Sequence, residues 1–189
     1  MHARVYVAAL IAGILTGQPV SAGAASDAAV RAEDLLAQGN TEAAYSAFNT
    51  AIHAFWQESP LAFRKALLVD RAGGFGDYDA RAGSEFSGGD TITVYTEPVG
   101  FGIGRQSGQF EIGFNTGFRI ENTTGQVLAA NDELFSVSHL SRSPNRDFNM
   151  TLSLVIPKLK PGPYVGVFTV KDRVSTKSGE FRIPFTITE

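Results

Sequence analysis

The 189-residue sequence predicts a mainly β protein, an antiparallel β-sandwich of about seven strands preceded by an αα-hairpin. Two observations support this fold class. Residues 60–189 contain short segments in which apolar and polar residues alternate, separated by turns rich in Gly, Pro and Asn. Residues 26–58 are rich in Ala, nearly free of Gly and Pro, and repeat apolar residues at helical spacing. The change of composition at Ser59-Pro60 therefore predicts a domain boundary.

Residues 1–24 are predicted to be a secretory signal peptide. Arg4 precedes an 11-residue apolar run, residues 5–15, and Ala22-Gly23-Ala24 fits the small-residue pattern of a cleavage site after Ala24. The run is shorter than the ~20 residues that cross a bilayer, so it does not predict a membrane anchor. No later segment is long and apolar enough to be a transmembrane helix. We therefore expect the mature protein to be periplasmic or extracellular.

Composition excludes several classes of function. The chain has no cysteine, which excludes disulfides, thiol catalysis and zinc–thiolate sites. It carries 16 basic and 19 acidic side chains, a net charge of −3, which becomes −4 when Arg4 is removed with the signal peptide. This charge does not form the basic footprint of a nucleic-acid-binding protein. We expect no nucleic-acid partner and no cofactor.

Residues 25–59 are predicted to form the helical hairpin. Ser26 and Asp27 are expected to cap its first helix, Gly39 to end that helix, and Asn40 or Thr41 to cap the second. The apolar face of the second helix contains Ala44, Phe48, Ala51, Ile52 and Phe55.

The small and large residues of this hairpin, Ala32, Leu35, Gly39, Ala44, Phe48 and Ala51, are spaced as in one tetratricopeptide repeat, which the segment resembles. One repeat cannot bury its own apolar face. The resemblance therefore does not imply the peptide-binding function of longer arrays. We expect Phe48, Ile52, Phe55 and Trp56 to pack on the β domain, and the hairpin to dock through the first three of them.

Residues 60–189 are predicted to form the sandwich. One local motif refines the fold: Leu159-Lys160-Pro161-Gly162-Pro163-Tyr164 leads into the apolar strand 164–170. This motif resembles the tyrosine corner of immunoglobulin-like and fibronectin-like domains, in which the Tyr hydroxyl bonds to backbone a few residues upstream. The resemblance covers residues 90–189 and implies an immunoglobulin-like sandwich. The order of signal peptide, tetratricopeptide-like hairpin and immunoglobulin-like sandwich resembles secreted bacterial proteins with no known reaction, and it implies a fold without an activity.

Sequence motifs for catalysis or metal binding are missing. His53 and His139 are not part of a G-x-S-x-G or H-E-x-x-H motif, and no helical pattern follows the glycine-rich runs, as a phosphate-binding loop requires. The acidic clusters 77–79 and 131–133 have too few oxygen ligands for Ca²⁺ and are typical of turns. No catalytic residue and no metal ligand is predicted.

A ligand-binding site is predicted on two glycine-rich loops, residues 72–90 and 97–108. Loops as long as the first of these are usually functional or disordered. We expect Tyr78, Arg81 and Arg105 to converge on one exposed patch. In the alternative interpretation both loops only cap the sandwich, with Phe75, Phe86 and Phe101 as plugs. The full set of predicted ligand-binding residues is Asp77, Tyr78, Arg81, Glu97 and Arg105.

The sequence thus favours a non-catalytic binding or interaction module whose partner is a protein, a peptide or an envelope glycan. Two alternatives stay open. One is a small carboxylate-based hydrolase similar to a glycosidase, which needs two carboxyl groups about 5–9.5 Å apart in a cleft. The other is an assembly or chaperone subunit that offers a sheet edge to a partner.

Overall fold

The computed structural model describes residues 23–189, which are mainly β with two helices. The predicted signal peptide falls almost entirely on residues outside this range. The elements in chain order are α1 (Ala24–Ala37), α2 (Thr41–Glu58), β1 (Ala62–Ala72), β2 (Tyr78–Ala80), β3 (Glu85–Phe86), β4 (Thr91–Val99), β5 (Gly104–Gln106), β6 (Gln109–Asn122), β7 (Val127–Ser141), β8 (Met150–Val155), β9 (Gly162–Asp172) and β10 (Ser178–Ile187). Seven of these strands are long, while β2, β3 and β5 have only two or three residues each. The long glycine-rich stretch expected to be irregular, residues 72–90, therefore contains two short strands.

The chain divides into two compact units, one ending at Ala51 and the other spanning Ile52–Glu189. This division falls inside α2. The predicted boundary at Ser59-Pro60 instead marks the point where helix gives way to strand, between the end of α2 and the start of β1.

In the first unit, a tight turn joins the two helices. Gly39 has a φ of 78°, which favours glycine, and its N–H donates to the carbonyl of Leu36 at 3.0 Å. The N–H of Asn40 donates to the carbonyl of Leu35 at 3.0 Å, which completes a Schellman motif. The Asn40 side chain then accepts the N–H of Ala43 at 3.4 Å and caps α2. The expected roles of Gly39 and Asn40 are confirmed.

The start of α1 differs from the expectation. Its N-cap is Gly23, whose carbonyl accepts the N–H of Ser26 at 2.8 Å. Ser26 and Asp27 therefore lie inside the first turn and do not cap the helix. The acidic side chain of Asp27 still interacts favourably with the positive end of the helix dipole.

Two sheets enclose the hydrophobic core of the second unit. One has the strand order β2-β1-β4-β8, and the other has the order β3-β10-β9-β6-β5, with β7 also paired to β6. All pairs are antiparallel except β3 with β10. The predicted alternation is clearest in β8, where every second residue is buried. The buried core residues include Phe86, Ile92, Phe101, Ile112, Phe114, Ile120, Leu152, Ile156, Phe168, Phe181 and Phe185.

Tyr164, near the start of β9, makes the hydrogen bond that its motif predicts. Its hydroxyl donates to the carbonyl of Lys160 at 2.8 Å, and its ring stacks on Phe185 with centroids 5.9 Å apart. The side chain therefore ties the turn before β9 to the edge of the core.

The C-terminal end of α2 is fastened to the β-sheet unit, to which its last residues belong. The Trp56 indole N–H donates to the carbonyl of Phe101 at 2.7 Å, and the two rings meet edge to face at 5.0 Å. The Lys177 ammonium donates to the carbonyls of Trp56, Gln57 and Gly100 at 3.3, 2.8 and 2.7 Å. Lys177 thus satisfies carbonyls that the end of the helix leaves without intrahelical partners.

This arrangement corrects the expected docking residues. Phe55 was expected to be buried but is exposed, and Phe48 in the first unit is also exposed. Trp56, which the sequence also placed among the residues that pack on the β domain, makes the aromatic contact with the core. Phe55 and Trp56 are adjacent in the helix and about 100° of rotation apart, so only one of these two neighbouring side chains faces the core.

Candidate functional site

The first predicted binding loop lies against the outer face of β4. The side chain of Val94 is buried in the core, whereas that of its neighbour Tyr95 points away from the core. Tyr95 is nevertheless fully buried, because the β1–β2 connection covers it. The Gly76 N–H donates to the Tyr95 hydroxyl oxygen at 2.8 Å. The Tyr78 ring packs on the Tyr95 ring with centroids 4.6 Å apart. The β1–β2 hairpin therefore folds back over the sheet to which β1 belongs.

Glu97 lies beneath this hairpin, in β4, and not in the loop where the sequence placed it. Its side chain is only 2% exposed. One carboxylate oxygen accepts the Tyr95 hydroxyl at 2.9 Å, and the other accepts the Arg64 Nε–H at 2.8 Å. Burial raises the pKa of Tyr95, so its hydroxyl stays protonated and continues to donate to Glu97.

Two cations complete this group, which we call the latch cluster: Arg64, Lys65, Tyr78, Tyr95 and Glu97. The Lys65 ammonium donates to the Tyr78 hydroxyl at 2.9 Å, and this hydrogen bond raises the pKa of Lys65. The Arg64 guanidinium also lies 4.9 Å from the centre of the Phe75 ring. Two predicted site residues, Tyr78 and Glu97, thus belong to one cluster whose polar groups bind one another and hold the hairpin on the sheet.

Asp77, next to the latch cluster, is paired with an arginine. Arg71 donates to Asp77 at 2.6 Å and to Asp79 at 2.8 Å, and hydrogen bonding to Arg71 lowers the pKa of Asp77. All three side chains are more than half exposed, so these surface ion pairs contribute little to stability. Arg81 is engaged in the same way, by Asp70 at 2.9 Å.

Arg81 and Arg105 lie at opposite ends of the second sheet. The Arg81 guanidinium stacks on Phe86 of β3, beside the end of β10 that pairs with the first residue of β9. The Arg105 guanidinium stacks on Phe110 of β6 at 3.9 Å, beyond Phe114, which pairs with the last residue of β9. Because β9 has 11 residues, these ends are roughly 30 Å apart. The expectation that Tyr78, Arg81 and Arg105 share one patch is wrong, while ligand binding by the individual residues stays a prediction.

A different surface, in the first unit, exposes large apolar side chains. Leu36 of α1 and Tyr45 and Phe48 of α2 are 59%, 72% and 52% exposed. They line a groove of about 320 Å³ between the two helices, whose floor includes the buried Ala32 and Ala44. The residues around the groove, which we call the helical groove, are Ala32, Glu33, Leu36, Thr41, Ala44, Tyr45 and Phe48.

The sequence held a signal for this groove that its interpretation missed. Within α2 the small residues Ala44 and Ala51 are buried, whereas the large residues Tyr45 and Phe48 face outward. The apolar positions of α2 thus form two adjacent faces, and only the face of small residues permits close approach of a neighbouring helix.

The two helices that form the helical groove are acidic overall. The helices α1 and α2 carry five carboxylates and one arginine, a net charge of −4, and all six side chains are exposed. These residues are Asp27, Arg31, Glu33, Asp34, Glu42 and Glu58. Of these side chains Glu33 lines the groove, whose other walls are mostly apolar.

In the part of the chain that the structure describes, no group of three or more His, Asp or Glu side chains is arranged to hold a metal ion. Over the same residues, neither helix has the length and hydropathy needed to cross a membrane.

Comparisons with known proteins give weak structural neighbours only. No family model matches the chain, and no curated protein matches it. The crystal structure of CopC from Methylosinus trichosporium OB3b is similar at 17% identity and a TM-score of 0.30, covering 65% of this chain and 93% of CopC. The alkylpurine DNA glycosylase AlkC from Pseudomonas fluorescens is similar at 12% identity and a TM-score of 0.36, and the chain spans 38% of its length. Spo0M from Bacillus subtilis is similar at 10% identity and a TM-score of 0.34, over 69% of this chain and 50% of Spo0M.

Proposed function

We propose that this protein is a non-catalytic interaction module of the periplasm or the extracellular space. In this proposal an immunoglobulin-like sandwich carries an αα-hairpin, and the helical groove binds an amphipathic helix of a partner protein. The observation that carries the proposal is the exposure of Leu36, Tyr45 and Phe48 around one groove. Exposed contiguous apolar patches on proteins commonly mark interaction sites.

The strand order supports the immunoglobulin-like part. Of the seven long strands, the first, second and fifth (β1, β4 and β8) are in one sheet. The seventh, sixth, third and fourth (β10, β9, β6 and β7) are in the other. This is how the A-B-E and G-F-C-C′ strands are distributed in immunoglobulin-like sandwiches. The Tyr164 hydrogen bond to Lys160 fits the tyrosine corner of the same folds.

The buried carboxylates support a non-catalytic role. Within the described residues they are Glu97, Glu121 and Asp172, and each accepts hydrogen bonds from internal donors. Asp172, for example, accepts the Ser175 hydroxyl at 2.7 Å and the Val174 N–H at 2.8 Å. A general acid or base needs a carboxyl group free to exchange a proton with substrate. These carboxylates instead fix loops and strands.

The net charge of the two helices indicates the charge of the partner helix. A basic helix fits the net charge of −4 on α1 and α2, whereas a second copy of the same helices would bring like charges together. The exposed parts of Leu36, Tyr45 and Phe48 amount to on the order of 300 Å². Burying that area together with a similar area of the partner helix contributes about 15 kcal/mol, and the entropic cost of association cancels roughly half of it. We therefore expect micromolar affinity.

Two designed peptides test this proposal. Both are amphipathic helices of about 18 residues with one Leu/Ala face, and the remaining positions are Lys in one and Glu in the other. Fluorescence anisotropy against the exported protein should show binding of the Lys peptide only. Phe48→Glu should weaken that binding at least about tenfold, because it places a carboxylate in the apolar groove.

Val30→Glu is the matched control. Val30 is an exposed apolar residue of α1 that does not line the groove, so its variant has the same added charge and should bind like the wild type. Equal binding of both peptides, or equal loss of binding in both variants, would contradict the proposal. Circular dichroism of each variant confirms that the helices are retained.

A further inference from the structure

The edge strand β8 has an unusual composition for its position. Among the described residues it pairs with β4 on one side and with no strand on the other. Its sequence, MTLSLV, contains no charged residue, no Pro and no Gly. Its outward-facing side chains, Thr151, Ser153 and Val155, are exposed. Such an edge is a template for pairing with another strand.

The other edges in the described part of the chain are protected. The long edge strand β7 carries Asp132 and Glu133, and its register with β6 shifts at two points. The remaining edge strands, β2, β3 and β5, are short, and they carry Asp79, Glu85 and Arg105. Charges, irregular register and short length each discourage edge-to-edge pairing. β8 has no charged residue and no register shift in its pairing with β4, and with six residues it is longer than β2, β3 and β5.

The hydrogen-bonding pattern of β8 shows which of its backbone groups are free. The Ile156 N–H donates to the Asp90 carbonyl at 2.9 Å. In the antiparallel register, the backbone N–H and C=O groups of Leu154 and the other even-numbered residues of β8 therefore point toward β4. The hydroxyls of Thr93 and Ser153 lie 3.1 Å apart, as expected for a pair without mutual backbone bonds. The N–H and C=O groups of Thr151, Ser153 and Val155 therefore point away from the sheet.

A cleft opens beside this edge. It has a volume of about 250 Å³ and lies between β8 and the β6–β7 hairpin. Its walls include Phe118, Ala129, Leu134 and Leu154. On the opposite side of the unit, β1 and β10 lie in contact.

We propose that two copies of this chain associate through β8, paired antiparallel about a twofold axis at Ser153. In this register Ser153 lies opposite Ser153 of the second copy, and Thr151 lies opposite Val155. All three residues with free backbone groups then form hydrogen-bonded pairs, which gives about six backbone hydrogen bonds. Registers shifted by one residue would leave these groups unpaired. The surface is distinct from the helical groove and does not rest on the proposed peptide binding.

The charges that flank β8 favour a second copy as the partner. Asp147 lies before the strand, and Lys158 and Lys160 lie after it, all three exposed. Antiparallel pairing about Ser153 places Asp147 of each copy beside the two lysines of the other. Arg146, next to Asp147, directs its guanidinium to the Trp56 ring at 5.9 Å and is half-buried. The ends of the paired strands are thus electrostatically complementary.

Charge-swapped variants at the axis test the pairing and its register. Six-residue edge pairing buries less area than a standard stable interface, so we expect a weak dimer, detected by sedimentation velocity up to about 1 mM protein. Ser153→Lys and Ser153→Asp should each raise the dimer Kd at least about tenfold, because the like charges lie opposite each other. An equimolar mixture of the two variants should restore association, as a heterodimer.

Ser136→Lys, at an exposed position of the protected edge β7, is the matched control and should dimerise like the wild type. A wild-type protein that stays monomeric throughout this range would overturn the proposal. So would a mixture of Ser153→Lys and Ser153→Asp that fails to associate, or a Ser136→Lys variant that loses the dimer equally. Binding of the Lys peptide is read separately and is unaffected by Ser153→Lys.

Discussion

Tyr95→Phe should destabilise the protein far more than the same change at the adjacent Tyr78. The Tyr95 hydroxyl donates to Glu97 at 2.9 Å and accepts the Gly76 N–H at 2.8 Å. Its removal leaves one oxygen of a carboxylate that is 2% exposed without a partner, and it also leaves the Gly76 N–H unpaired. An unsatisfied buried group costs about 1–3 kcal/mol, with the higher values for charged groups. We therefore expect a loss of about 2–4 kcal/mol in the free energy of unfolding.

Tyr78→Phe removes an equally sized hydroxyl that accepts a hydrogen bond from Lys65 at the surface, and Lys65 can bind water instead. We expect its cost to be within about 0.5 kcal/mol of zero. Urea denaturation of both variants, followed by Trp56 fluorescence, gives the two free energies and shows whether the m-values are unchanged. If the two variants have equal stability, or if Tyr95→Phe matches the wild type, the latch cluster does not hold the hairpin on the sheet.

Two further predictions concern fastening groups. Lys177→Met should lower the free energy of unfolding by about 1–3 kcal/mol, because the carbonyls of Trp56, Gln57 and Gly100 lose their donor. It should also speed amide hydrogen exchange near Trp56, and unchanged exchange there would contradict the capping role. Hydrogen bonds from Arg119 and Arg182 lower the pKa of Glu121 from its ordinary value of 4.5, so its stabilising contribution is present above that pH and is lost as the pH falls through the lower folded-state pKa. Glu121→Gln should therefore make stability decline less steeply below about pH 5. Denaturation midpoints measured between about pH 3 and 6 give this slope, and an unchanged slope would show that other carboxylates control the acid dependence of stability.

The strands could be predicted because their signal is local. In β8, alternation along MTLSLV is enough to assign both the strand and its buried face, and the observed burial follows it. The Tyr164 hydrogen bond was predictable for the same reason, since donor and acceptor are four residues apart. The position of Glu97 was not, because its partners Arg64 and Tyr95 are brought together by the pairing of β1 with β4. A short-range pattern cannot show that a charged residue will be buried beneath a returning hairpin.

The helical groove shows a second limit. Phe48 and Phe55 have the spacing of the same predicted face as Ala44 and Ala51, and hydrophobicity alone assigns all four residues to the interior. The structure buries Ala44 and Ala51 and leaves Phe48 and Phe55 exposed. Where small and large apolar residues form adjacent faces of one helix, the outcome depends on which face allows the backbones to approach, and this depends on the partner helix as much as on the sequence of α2.

The distribution of charge explains why interaction would use apolar surfaces. Most of the arginines near the predicted loops are already paired: Arg64 with Glu97, Arg71 with Asp77 and Asp79, and Arg81 with Asp70. A charged ligand at these positions would have to displace an existing carboxylate, and the gain would be limited to the difference between two similar ion pairs. The helical groove and β8 face no such competition, because burial of Phe48 or pairing of Ser153 displaces only water. Binding energy on this protein is therefore available mainly where it has left apolar side chains and backbone groups uncovered.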